Sequence, residues 1–125
     1  MHNWITEWEE IYHQNTQDPQ LASFTPEQLD QLFNKEIAYY FFPPAKIRTF
    51  EQVLKDGNAA CGEASAAIAA ALAQRGIDFS LCIKKDGQNN THAVIISGSR
   101  MFDPYRSFYT KGVETCAFKY AFSTI

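Results

Sequence analysis

The chain has 125 residues, which fits one domain. Its hydrophobic fraction of 46% and aromatic fraction of 14% are enough for a packed core and exclude a disordered chain. The net charge is only −3 and the basic residues do not cluster, so a nucleic-acid partner is not expected. No apolar run is long enough to span a membrane, and the first residues, MHNWITEWEE, lack the basic start and apolar middle of a signal peptide.

The chain contains three cysteines, Cys61, Cys82 and Cys116. An odd count argues against a complete disulfide framework and for the cytoplasm or another reducing compartment. A protein delivered into a target cell by a secretion route that needs no signal peptide would have the same cysteine usage. Because Cys82 and Cys116 fall in strand-like patterns, we expect both to be core residues.

Residues 1–57 predict helices. The stretch NWITEWEEIYHQN places Trp4 and Trp8 at helical spacing. In TPEQLDQLFNKEIAYYFF, Thr25, Pro26 and Gln28 are typical of a helix start with a capping box. The Pro-Pro pair that follows is expected to end this second helix.

A third, shorter helix is predicted in RTFEQVLKDG. Thr49 is its expected cap, Gln52 stands three residues later, and Gly57 closes it. The aromatic run AYYFFPP before this helix has two interpretations, a part of the core or a substrate-docking surface, and we favour the core.

Residues 58–125 predict one more helix followed by strands. The helix lies in NAACGEASAAIAAALAQRG, with Cys61 at its start and Gly76 after its end. The segments DFSLCIK, THAVIIS, RMFDPY and ETCAFKYAF read as strands, separated by the turns KDGQNN and SGS. Helices followed by an antiparallel meander define an α+β fold class.

A hairpin is predicted to bring a histidine and an aspartate together. A two-residue loop at SGS would pair Ser97 with Arg100. His92 and Asp103 then lie on the same face as diagonal neighbours, where the carboxylate could orient the imidazole ring. A register slip of one residue would move Asp103 to the opposite face, so this geometry depends on the loop.

Cys61 adds a nucleophile to this pair. An ordinary thiol has a pKa of about 8.5, but a helix N-terminus and a neighbouring imidazolium both favour the thiolate. Cys61, His92 and Asp103 would then be nucleophile, general base and orienting residue. Taken singly, each has a structural interpretation: a buried thiol, a strand histidine and a turn aspartate. Glu63 can be read as a first-turn acid that suits the helix dipole.

No cofactor is expected from these patterns. Neither CxxC nor HxxxH spacing occurs, so nothing supports a metal site built from cysteine, histidine and aspartate.

The segments ACGEASAAIAAALAQRGIDFSLCI, THAVII and MFDPY resemble the core of the papain-like and transglutaminase-like proteins, over roughly Gly57 to Tyr109. The resemblance implies a cysteine-bearing helix packed on an antiparallel sheet, with Cys61 as nucleophile, His92 as general base and acid, and Asp103 as orienting residue. Many members carry an oxyanion-hole residue shortly before the cysteine, and Asn58 is the candidate in this chain. Several relatives have a tryptophan where Val94 stands, which argues against amine transfer.

The compact chain looks most like a bacterial effector or toxin domain of this superfamily. The resemblance therefore implies a thiol-dependent amide hydrolase that deamidates glutamine side chains of a target protein. Two alternatives remain open: a cysteine peptidase with the same triad, and a non-enzymatic interaction domain that retains the fold. The implied partners are a protein substrate and an immunity or inhibitor protein.

Overall fold

A computed structural model describes residues 4–40, 46–85, 91–106 and 115–123 of the chain. The α-helices are α1 (Trp4–Thr16), α2 (Pro26–Lys35), α3 (Phe50–Asp56) and α4 (Cys61–Gln74), and a short 3-10 helix spans Leu21–Ser23. The strands are β1 (Ala38–Tyr39), β2 (Asn58–Ala59), β3 (Phe79–Lys85), β4 (Thr91–Ser97), β5 (Arg100–Phe102) and β6 (Thr115–Phe122). The expected α+β class is confirmed. The FFPP part of the aromatic run and the KDGQNN turn after its first residue lie outside the described residues.

Two helix starts form as the sequence predicts. The Thr25 hydroxyl accepts the backbone N–H of Gln28 at 3.0 Å, and the Gln28 side chain accepts the N–H of Thr25 at 2.8 Å. Thr49 and Gln52 form the same reciprocal pair at 3.3 and 3.0 Å. Gly57 ends α3 with φ +75°, a left-handed conformation that glycine adopts at little cost.

The second helix ends earlier than predicted. It stops at Lys35 rather than continuing to the Pro-Pro pair. The Ile37 N–H closes the helix on the Leu32 carbonyl at 2.9 Å, and β1 follows, parallel to β2. Tyr40 extends this pairing, donating its N–H to the Ala59 carbonyl at 2.9 Å. The β-branched and aromatic residues of this stretch suit an extended backbone. Pairing with β2, which comes from a distant part of the chain, makes the stretch a strand rather than a continuation of the helix.

The main sheet has the strand order β5-β4-β3-β6. Strands β3, β4 and β5 form the expected antiparallel meander, and Ser97 pairs with Arg100 as the two-residue loop requires. The prediction that the last strand continues the meander is wrong, because β6 pairs with β3 rather than with β5. The reason is geometric: β5 has only three residues and lies against α2, whereas β3 offers a seven-residue edge.

Helix α4 lies at the centre of the core. It contacts α1, α2 and the sheet strand β4. Its small side chains permit this close approach, and the fully buried alanines include Ala66, Ala67, Ala69, Ala70 and Ala71. Trp8 of α1 is also fully buried and donates its indole N–H to the Ser65 hydroxyl at 3.0 Å. The helix that begins with Cys61 is therefore held on several sides.

Two of the cysteines differ in oxidation state. Cys82 is fully buried in β3, as expected, but it belongs to a disulfide whose partner lies outside the described side chains. Cys61 is a thiol and is not part of a disulfide. The odd cysteine count thus did not exclude a disulfide, and the reducing compartment stays a prediction. The backbone of Cys116 lies in β6 as predicted, while its side chain is not among those described.

None of the helices in the described ranges has the length and apolar character that a membrane span requires.

Candidate active site

Cys61 is the first residue of α4 and is partly exposed. The residue before it, Ala60, has the extended backbone of an N-cap, but its methyl group cannot accept a hydrogen bond. The threonines that cap α2 and α3 do accept one. At the start of α4, the Glu63 carboxylate accepts the N–H of Ala60 at 2.9 Å.

His92 and Asp103 meet as the hairpin predicts. His92 lies on β4 with only 3% of its surface exposed, and Asp103 follows the last residue of β5. The His92 Nε2 atom contacts Oδ1 of Asp103 in a short hydrogen bond. The predicted register is confirmed by this contact and by the pairing of β4 with β5.

The imidazole also interacts with the cysteine. Burial lowers the pKa of His92, but the hydrogen bond to Asp103 and the hydrogen bond and charge of Cys61 outweigh it and raise the pKa to about 9. The ring nitrogen that contacts Asp103 is Nε2. The structure thus joins the three residues in the order Cys61, His92, Asp103.

A residue that the sequence did not indicate holds the Asp103 turn. Asn34 of α2 donates its Nδ2 to the Asp103 carbonyl at 3.4 Å and accepts the N–H of Tyr105 on Oδ1 at 2.8 Å. Tyr105 is buried and has φ +61°, an unusual conformation for a residue with a side chain. The two bonds to Asn34 span this strained turn and fix where Asp103 leaves β5.

A second unpredicted feature lies beside the cysteine. Glu63 is buried and forms an ion pair with Arg48, whose Nε approaches Oε2 at 2.7 Å. Glu63 was expected to be a simple first-turn acid. The sequence does indicate that Glu63 is unusual, because it is the only charged residue among the fourteen of α4. Nothing in the sequence identified Arg48 as its partner.

Asn58 lies on β2, two residues before the N-cap of α4. Its side-chain Nδ2 donates to the Asp56 carbonyl at 3.4 Å, and its own carbonyl accepts from Arg48 at 3.3 Å. These bonds belong to the turn that leads into α4. A role for Asn58 in an oxyanion hole stays a prediction.

One groove among the described residues has no Cys61 in its lining. It has a volume of about 400 Å³ and lies between α2 and β5. Its lining includes two ion pairs, Glu27 with Arg100 and Asp30 with Arg106, and also Lys35. The described ranges contain no group of histidine, cysteine and acidic side chains suited to a metal ion.

Comparisons of the chain with protein-family models, with characterised proteins and with solved structures found no match.

Proposed function

We propose that this chain is a thiol-dependent amide hydrolase in which Cys61 is the nucleophile, His92 carries the proton and Asp103 orients the ring. The observation that supports this proposal is the pair of contacts made by one imidazole, to Asp103 through Nε2 and to Cys61. A pKa of about 9 keeps this imidazole protonated at neutral pH, which favours a thiolate beside it. The same arrangement serves amide hydrolysis in unrelated folds.

The proposed reaction has two steps. The Cys61 sulfur attacks the amide carbonyl carbon, and the oxyanion that forms is stabilised by backbone N–H groups of the first turn of α4. His92 gives its proton to the departing nitrogen, the C–N bond breaks, and a thioester remains. Water then attacks the thioester while His92 takes its proton, which releases a carboxylate and restores the thiolate and imidazolium.

The substrate class we propose is a glutamine side chain of a target protein, with ammonia as the leaving group. This choice follows the resemblance to small effector and toxin domains. A peptidase would use the same steps with a peptide nitrogen as leaving group, and an interaction domain would need none of them.

The chemistry can be tested without the natural target. With p-nitrophenyl acetate, the protein should release nitrophenolate in a burst and carry the acetyl group on Cys61, as located by peptide mapping. Cys61→Ala should abolish the burst, and His92→Ala should slow it by roughly two to four decades, the usual contribution of a general acid or base. An equal acetylation pattern in wild type and Cys61→Ala would favour the interaction domain.

The leaving group can then be identified with casein and the dipeptide benzyloxycarbonyl-Gln-Gly. A glutamine deamidase releases ammonia from both and leaves the casein chain intact. Fragmented casein without ammonia would favour the peptidase.

A further inference from the structure

Glu63 is a buried carboxylate with every oxygen satisfied. Its side chain is 1% exposed. Oε1 accepts the Ala60 N–H at 2.9 Å and the Arg48 Nη2 at 2.9 Å. Oε2 accepts the Arg48 backbone N–H at 2.7 Å and its Nε at 2.7 Å. A buried carboxylate needs such partners, because removing one partner leaves an uncompensated charge.

Arg48 connects Glu63 to the rest of the segment that enters α4. Besides its two-pronged contact with Glu63, the guanidinium binds Oδ2 of Asp56 at 2.8 Å and the Asn58 carbonyl at 3.3 Å. Arg48 directly precedes the N-cap of α3. Its side chain therefore connects this position to the end of α3, to strand β2 and to the first turn of α4. The backbone that leads to Cys61 cannot shift without breaking these bonds.

The charge of Glu63 also bears on the thiol. A carboxylate in the first turn suits the helix dipole, but a negative charge two residues from Cys61 opposes the formation of a thiolate. The Arg48 guanidinium offsets this charge. The charges of Glu63 and Arg48 also act on Tyr105. Burial raises the pKa of its hydroxyl, Glu63 and Cys61 raise this pKa further, and Arg48 lowers it.

We propose that Arg48 is a positioning residue for the thiol chemistry: by binding Glu63 it holds the entry to α4 and cancels the negative charge beside Cys61. This inference rests on the proposed function. Because the ionisable groups of this region interact with one another, the charge on each affects the others. They come from four parts of the chain: Arg48, Asp56, Glu63, His92, Asp103 and Tyr105.

The test is the pH dependence of Cys61 alkylation by iodoacetamide, with peptide mapping. Arg48→Met leaves Glu63 without its counter-charge, so the midpoint should rise by about one pH unit, the size expected for one nearby carboxylate. The double variant Arg48→Met with Glu63→Gln removes both charges and should return the midpoint close to that of the wild type. Arg100→Met breaks an exposed pair with Glu27 and is the matched control, for which no change is expected.

A lower thermal stability of Arg48→Met with an unchanged midpoint would overturn the inference, because a merely structural role predicts that result. If Arg48→Met does not fold, Glu63→Gln decides the question: the inference predicts a midpoint that is equal to or lower than the wild-type value, and a rise overturns it. A wild-type midpoint at the ordinary thiol value with no acetylation burst would instead refute the proposed function itself. The two failures are therefore distinguishable.

Discussion

Replacing the carboxylate of Asp103 tests the central contact of the site most directly. Asp103→Asn keeps the shape of the side chain but removes the negative charge from the hydrogen bond that contributes most to raising the pKa of His92. We expect the His92 midpoint to fall from about 9 toward its ordinary value of 6.5. The full difference between a pKa of about 9 and one of 6.5 corresponds to at most about 3 to 4 kcal/mol. Cys61 still favours the imidazolium, so the fall should be smaller than the full gap.

The consequence for the protein at neutral pH can be stated from these values. With a midpoint of about 9 nearly every ring is protonated, whereas a midpoint of 6.5 would leave roughly a quarter protonated at pH 7. Asp103→Asn should therefore lose the imidazolium in the pH range where Cys61 needs it, and the acetylation burst should weaken with it.

The assay is a pH titration of imidazole resonances by NMR in protein labelled with nitrogen-15 at histidine. The chain has three histidines, and the spectrum of His92→Ala identifies the set that belongs to His92. Asp18→Asn is the matched control, because Asp18 lies beside the far end of α4, where its carbonyl accepts from Gln74. A His92 midpoint that is the same in Asp103→Asn as in the wild type would refute the argument that this contact controls the ring.

Three further predictions concern stability and thiol state. The free energy of unfolding lost in Asp103→Asn should be greatest just below about pH 6.5 and should shrink as pH rises through about 9. The reason is that a raised pKa in the folded state stabilises only the protonated ring. Urea titrations across this pH range that show a constant loss would contradict this prediction. Titration of the unfolded, unreduced protein with a thiol reagent should modify Cys61 but not Cys82, which should react only after reduction; labelling of Cys82 without reductant would show the disulfide to be absent. Ile68→Ala in the buried face of α4 should cost about 2–5 kcal/mol in denaturant unfolding, whereas Met101→Ala, 51% exposed, should cost far less; equal losses would argue against the described core.

The helix starts and the hairpin of β4 and β5 could be read from the sequence because they depend on local chemistry. Thr25 and Thr49 each stand three residues before a glutamine, and that spacing alone brings the hydroxyl and the amide into mutual contact. The two-residue loop after Ser97 sets the strand register, and the register alone places His92 beside Asp103. The start of α4 at Cys61 was likewise predicted from its helix-forming residues.

Only the tertiary structure decided the features that depend on distant partners. The second helix ends at Lys35 because β1 pairs with β2, and β6 pairs with β3 because the short β5 lies against α2. The disulfide of Cys82 and the ion pair of Arg48 with Glu63 likewise join residues that no local pattern relates. The physical reason is the same in each case: a residue's own preference is worth a few tenths to about one kcal/mol, while burial and pairing with a remote segment are worth more and override it.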